Sequence, residues 1–246
     1  MVHPLTMLIL RSAAATDTGP VRENNEDAAY GGRRLAAVAD GIGGLPAGEL
    51  ASEIAIDNLA PLESAPVNNP EAALIDAVQK ANAEIGATGN DMGTTVTAVL
   101  LDAERGRLSL VHVGDSRGYL LASGAPGIVR LTRDDTFVQA LVDKGALTAE
   151  EARGHPRRSL ITQAVQGQPY RAATATIPVE PGDRVLLCSD GLSDYVDDAE
   201  IDAVMRVAPD PETCARDLVE RALAAHTNDN VTAVVADVVQ AGGRRA

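Results

Sequence analysis

Four aspartates in this sequence stand where a carboxylate is costly. Leu35-Ala36-Ala37-Val38-Ala39 runs into Asp40-Gly41-Ile42-Gly43-Gly44, and Arg184-Val185-Leu186-Leu187-Cys188-Ser189 runs into Asp190-Gly191. Leu108 to Gly114 leads to Asp115, and Asp229-Asn230 precedes the β-branched run Val231 to Ala236. A short apolar run bounded by glycine reads as a buried strand. An acid at its mouth must be neutralised by a proton, a cation or an arginine, and the glycines permit sharp turns and close approach to the backbone. A single Asp-Gly is ordinary turn chemistry. Four acids at strand ends point instead to convergence on one spot. Clustered carboxylates repel unless hard cations sit among them, and oxygen-only ligands suit Mg²⁺ or Mn²⁺.

A cation also lies among acids in Asp17-Thr18-Gly19-Pro20-Val21-Arg22-Glu23-Asn24-Asn25-Glu26-Asp27. The planar guanidinium of Arg22 can hold a phosphate by two parallel hydrogen bonds. Taken alone, the simpler reading is a solvated arginine paired with Glu23 or Glu26.

The elements that must position these residues follow from the hydrophobic pattern. Met7 to Ala15 reads as a first strand, and Leu35 to Ala39 as the strand that delivers Asp40. Gly48 to Leu59 has helical spacing and stops before Pro61, and Asn69-Pro70 opens a second helix from Glu71 to about Ile85. Thr94 to Leu101, Leu108 to Val113, Arg117 to Leu121 and Ile128 to Leu131 read as an antiparallel meander. These strands are almost continuously apolar, which predicts a sheet covered on both faces. Residues 132–167 interrupt the β pattern with a helix over Thr136–Lys144, an acidic turn at Thr148–Glu151 and the basic cluster His155-Pro156-Arg157-Arg158. We read this segment as a flap over the site, able to set substrate choice. Thr174 to Val179 and Arg184 to Ser189 are strands. Helices over Asp198–Val207, with Asp198 as N-cap, and Pro211–Ala225 follow, then a closing strand Val231–Val239 and a loose tail at Arg244-Arg245. With no repeat and no break in composition, residues 1–246 read as a single domain.

Composition bounds the function. Of 246 residues, 45% are hydrophobic but only 2% aromatic, so the core must be Ala, Val, Leu and Ile. A formal charge of -14 argues against nucleic acid or an anionic membrane as partner. It leaves open a phosphorylated substrate if metal supplies local positive charge. Cys188 and Cys214 suggest neither a disulfide framework nor a zinc site. No signal peptide and no membrane span of about 18 apolar residues is visible, so a cytoplasmic protein is expected.

In order along the chain, these motifs resemble the metal-dependent Ser/Thr phosphatases, the PPM family (protein phosphatase type 2C), in their bacterial form. The resemblance runs through Arg22–Asp27, Ala39–Gly44, Gly93-Thr94-Thr95, Val113–Tyr119, Cys188–Leu192 and Asp229–Thr232. It implies an α+β fold, a four-layer α/β/β/α sandwich with two central antiparallel sheets flanked by helix pairs. It implies two Mn²⁺ or Mg²⁺ ions bridged by Asp40, the first completed by Asp190 and Asp229 and the second bound by the Gly41 carbonyl. Glu26 would hold a water in the outer shell. Asp115 and Asp190, with the backbone of Ser159, would take a third and weaker cation. The implied activity is hydrolysis of phosphoserine and phosphothreonine in proteins by a hydroxide bridging the two ions, with Arg22 on the phosphoryl oxygens. Implied substrates include bacterial Ser/Thr kinases and their targets, and a monomer is expected. One departure stands out: Ile42 occupies the place where many eukaryotic relatives carry the histidine proposed as general acid, and His155 is a candidate substitute. A catalytically inactive relative that binds phosphoproteins is the alternative. A structural divalent-ion site in an unrelated protein is a third reading, disfavoured because Ca²⁺ loops draw their oxygens from one short segment.

Overall fold

The computed structural model describes residues 7–43 and 47–242. In chain order the strands and helices begin with β1 (Leu8–Asp17), β2 (Asp27–Gly31), β3 (Leu35–Ile42), α1 (Ala47–Leu59) and α2 (Pro70–Ala87). The strands β4 (Gly93–Thr94), β5 (Val96–Asp102), β6 (Arg107–Val113), β7 (Arg117–Leu121) and β8 (Val129–Arg130) follow. The chain continues through α3 (Phe137–Asp143), α4 (Ala149–Arg153), β9 (Ala173–Pro178) and β10 (Arg184–Cys188). It closes with α5 (Asp190–Ser193), α6 (Asp198–Val207), α7 (Pro211–Ala224) and β11 (Val231–Gln240).

The strands form two antiparallel sheets, ordered β1-β11-β10-β7-β8 and β2-β3-β5-β6-β9, with β4 pairing β3. Period-two alternation sorts their side chains into three layers of core. Ala36 and Val38 of β3, Val99 of β5, Val185 and Leu187 of β10, and Val234 of β11 meet between the sheets. Leu35, Ala37 and Ala39 point the other way and pack with Leu59 of α1 and Leu74 of α2. Leu186, Cys188, Ala233 and Val235 pack with Ile201 of α6 and Leu218 of α7. Successive strand residues face opposite sides, so near-continuous apolar strands are what two stacked sheets with outer helices require. The expected α/β/β/α sandwich is the observed one.

The chain departs from the expected elements in places that bear on the site. The meander is split: β5 pairs β6 in one sheet, but β7 pairs β8 and β10 in the other. Gly114, at φ +107°, makes the crossing, and Asp115 rides on it. Local pattern cannot reveal which sheet a strand joins, because both sheets bury both faces. The expected strand from Thr94 breaks at Thr95 into β4 and β5. Strand β2 offers only the short run Ala28-Ala29-Tyr30 between an acid and glycines, and was not anticipated. The N-cap of α6 is Asp197, whose side chain accepts from Glu200 N–H; Asp198 instead accepts from the Tyr119 hydroxyl at 3.1 Å. The Thr148–Glu151 turn opens α4 through a reciprocal Thr148/Glu151 capping box. Gly44 and the Arg244-Arg245 tail lie outside the described residues.

Candidate metal centre

The residues that the sequence singled out come from six separate segments, and all line one cleft of about 200 Å³. Arg22 and Glu26 reach it from the loop between β1 and β2, and Asp40 and Gly41 from the end of β3. Asp115 arrives on the crossing between β6 and β7, and Ser159 from the segment after α4. Asp190 starts α5, and Asp229 lies two residues before the start of β11. Ile42 is on the wall as well. His155 is not: its ring packs against Phe137, and its Nδ1 accepts the Arg157 N–H at 3.0 Å.

Backbone hydrogen bonds hold the acids at these strand ends. Asp40 N–H donates to Thr95 Oγ1 at 3.0 Å, and Asp40 O accepts from Thr94 Oγ1 and Thr95 N–H, each at 2.9 Å. The break between β4 and β5 thus frees Thr95 to clamp Asp40. Gly41 is required by close approach: a Cβ there would run into the carbonyls of Gly48 and Glu26. Ser189, just before Asp190, donates to Asp27 Oδ2 at 2.7 Å and accepts from Thr232 N–H at 3.0 Å, locking β10 to β11 and to β2. Arg22 pairs with Asp229 at 2.8 Å, not with Glu23 or Glu26.

Three contributors were missed in the sequence. Asn230, 5% exposed, donates to Thr18 O and Asn24 O at 2.8 and 2.9 Å and accepts Glu26 N–H at 2.9 Å. It ties the loop that carries Arg22 and Glu26 to β11. Asp27 lies opposite Asp40 in the β2–β3 register. Asp135 anchors the start of the 132–167 segment, accepting Gly114 N–H at 3.1 Å through Oδ2 and donating its own N–H to Gly114 O at 2.7 Å. Asp-Asn at a strand start was a visible signal for Asn230, and Asp27 closes the Arg22–Asp27 motif; nothing local marks Asp135.

The electrostatics of the cleft ask for positive charge. Burial, then the charges of Asp27, Asp190, Asp115 and Asp229, push the Asp40 carboxyl well above its usual range. Asp190 is pushed up in the same way by burial and then by Asp115, Asp194, Asp229 and Asp27. Burial raises Asp115 to about 7, with Asp134 and Asp194 adding to it. Asp27 rises to about 6 through burial, although hydrogen bonds from Thr232 and Ser189 oppose the rise. The buried Oδ1 atoms of Asp115 and Asp27 have no hydrogen-bond partner. Such groups must be protonated or meet a cation. Among the described residues no three His, Cys, Asp or Glu side chains close into a ready ligand cluster, so the acids share a cleft without converging on one point. The donor set is carboxylate and backbone oxygen only, which fits Mg²⁺ or Mn²⁺.

Comparison with known proteins is consistent with this picture. The sequence profile of the protein phosphatase 2C family matches residues 21–233, a span that includes every residue named above as facing the cleft. The serine/threonine protein phosphatase PstP of Mycobacterium tuberculosis is 48% identical over 239 residues, 94% of this chain and 46% of that protein. The chain therefore spans about half the length of that relative. The serine/threonine phosphatase stp of Listeria monocytogenes is 31% identical over 249 residues, 92% of this chain and 96% of that one. A crystal structure of the M. tuberculosis phosphatase PstP superposes with TM-score 0.89 at 47% identity, covering 95% of this chain and 100% of that one. A second structure, the PstP catalytic domain in complex with two manganese ions, gives TM-score 0.87 at 46% identity over 95% of this chain and 100% of that one.

Proposed function

The chain belongs to the protein phosphatase 2C family, and on that premise we propose that it is a metal-dependent phosphatase of phosphoserine and phosphothreonine in proteins. The observation that supports this most is that Asp40, Asp115, Asp190 and Asp229 line a single cleft together with one arginine, Arg22. In this reading residues 1–246 act as one catalytic domain with 132–167 as its flap. Asp40, Asp190, Asp229 and the Gly41 carbonyl would hold two Mn²⁺ or Mg²⁺ ions, and Asp115, Asp190 and the Ser159 backbone would take a third, weaker one. The chemistry a divalent pair supplies is to acidify water and offset charge on phosphoryl oxygens.

The chain's own groups do the rest. Arg22 turns its guanidinium fork to two phosphoryl oxygens, giving up Asp229 to a cation. Glu26 orients a water by accepting its hydrogen bond. Asn230 keeps Arg22 and Glu26 in register. Ile42 carries no proton, so the leaving seryl or threonyl oxygen takes its proton from water in the cleft. Substrates are phosphoproteins, Ser/Thr kinases among them, and the protein acts as a cytoplasmic monomer. No described helix is long and apolar enough to cross a membrane.

The test is turnover of p-nitrophenyl phosphate and of phosphopeptides with Mn²⁺, with EDTA, and in Asp190→Ala. The expected result is metal-dependent turnover that falls about a hundredfold or more in the variant, a loss of about 2.7 kcal/mol in transition-state stabilisation. A folded, Mn²⁺-loaded protein with no turnover would overturn the proposal and leave the inactive phosphoprotein-binding relative, to which Ile42 points.

A further inference from the structure

The flap turns basic within a chain of net charge -14: Arg153 to Arg158 contains three arginines, one histidine and no acid. These cations have different surroundings. Arg158 serves the fold, its Nε 3.3 Å from Asp194 Oδ2. Asp194 in turn caps α5, donating its N–H to Asp190 O at 2.8 Å. This pair pins the flap beside the cleft, and the next residue, Ser159, is on the cleft wall.

Arg153 and Arg157 are exposed, and among the described residues neither has a carboxylate within ion-pair distance. The Arg157 guanidinium lies 5.8 Å from the centre of the Phe137 ring. A ring face holds a cation in place without neutralising it. Phe137 is itself fixed, its N–H donating to Leu160 O at 2.8 Å and its ring packed on His155. Arg157 is two residues from Ser159, at most about 7 Å of chain, a span matched by about two residues of an extended peptide. A guanidinium held on an aromatic face, with its N–H fork open, beside a cleft for a phosphorylated side chain, is placed to meet a second anionic group.

Resting on the phosphatase reading of the cleft, we infer that Arg157 reads an anionic group one to three residues from the phosphorylated Ser or Thr. That group is an Asp or Glu side chain or a second phosphoryl group. The selection is positional. The net negative field of the protein disfavours acidic peptides in general, and only an anion that lands on the flap escapes it.

The experiment compares phosphothreonine peptides that differ at one position, one to three residues to either side of the phosphosite. The varied residue is Ala, Asp, Lys or a phosphonate that mimics a second phosphoryl group and cannot be cleaved. Relative to Ala, kcat/KM is expected to rise about twofold to fivefold for Asp, as for an exposed ion pair. It rises further for the phosphonate and falls for Lys, and all ratios shrink toward one in 0.5 M salt. Arg157→Gln brings the Asp/Ala ratio to one, and Arg157→Lys keeps part of the preference. Equal ratios in the native protein, or ratios that survive Arg157→Gln, would overturn the inference. Fluorescence anisotropy of the same labelled peptides reads the preference without turnover. A protein that hydrolyses nothing therefore defeats the phosphatase reading, and the binding ratio still decides this one.

Discussion

Replacing Asn230 by alanine tests whether one buried amide organises the loop that carries Arg22 and Glu26. Its side chain makes three hydrogen bonds, to Thr18 O at 2.8 Å, to Asn24 O at 2.9 Å and from Glu26 N–H at 2.9 Å. Each is worth about 1 kcal/mol net, and a buried group left without a partner costs about 1–3 kcal/mol. Thr18 and Asn24 are only partly buried, so water can recover part of the loss there, whereas Glu26 is buried and its N–H is not rescued so easily. The sum is about 2–3 kcal/mol, which for a chain of this size lowers Tm by about 4–12 °C. The loop that loosens carries both Arg22 and Glu26, so kcat/KM for p-nitrophenyl phosphate falls about tenfold or more even where the protein is fully folded. Asn230→Asp keeps the acceptor for Glu26 N–H but sets a carboxylate against two carbonyls and adds charge to an acidic cleft, so it loses at least as much. Scanning calorimetry of the Mn²⁺-loaded proteins, with steady-state kinetics well below Tm, measures both effects. An Asn230→Ala protein that melts within about 2 °C of the native one and keeps its kcat/KM would refute the argument.

Other consequences are open to measurement. Asp40→Asn removes one of several mutually repelling buried acids, so the metal-free variant should melt higher than the native protein while Mn²⁺ no longer raises its Tm. A site saturated a hundredfold above Kd adds about 2.7 kcal/mol, and loss of that increment is the readout. The raised carboxyls also set a pH dependence. With Asp115 near 7 and Asp27 near 6 in the fold, the native state binds more protons than the unfolded chain between about pH 4 and 7. Metal-free protein therefore loses stability as pH rises through that window, and melts higher at pH 5.5 than at pH 8. A flat or opposite trend in EDTA would contradict the buried-acid picture. Far from the cleft, Arg184 binds Asp237 at 2.6 and 3.1 Å and the carbonyls of Met205 and Ala208 at 2.8 and 2.9 Å. Arg184→Ala strands a buried acid and costs about 3 kcal/mol, reduced by the second partner Arg11 at 2.7 Å. Denaturant melts should register that loss, with kcat/KM of the folded enzyme unchanged.

What the amino-acid order determined by itself was the set of elements and the identity of the acids. Period-two and 3.6-residue patterns are local, so β10, β11, α6 and α7 could be located before any coordinates. Aspartates at the ends of apolar runs were conspicuous because burying them is costly. What only the tertiary structure decided was association. Gly114 carries the chain from one sheet to the other, a choice invisible in strands that are apolar on both faces. Asp27 owes its raised pKa to burial and then to Asp229, about two hundred residues away, and no local signal encodes that neighbour. Arg22 found Asp229 rather than the adjacent Glu23 or Glu26, because Asn230 folds the loop against β11. Arg157 and Arg158 look alike in sequence, yet one rests on an aromatic ring and the other pairs with Asp194. Long-range packing assigns partners, and the partner determines whether a charge holds the fold together or faces a ligand.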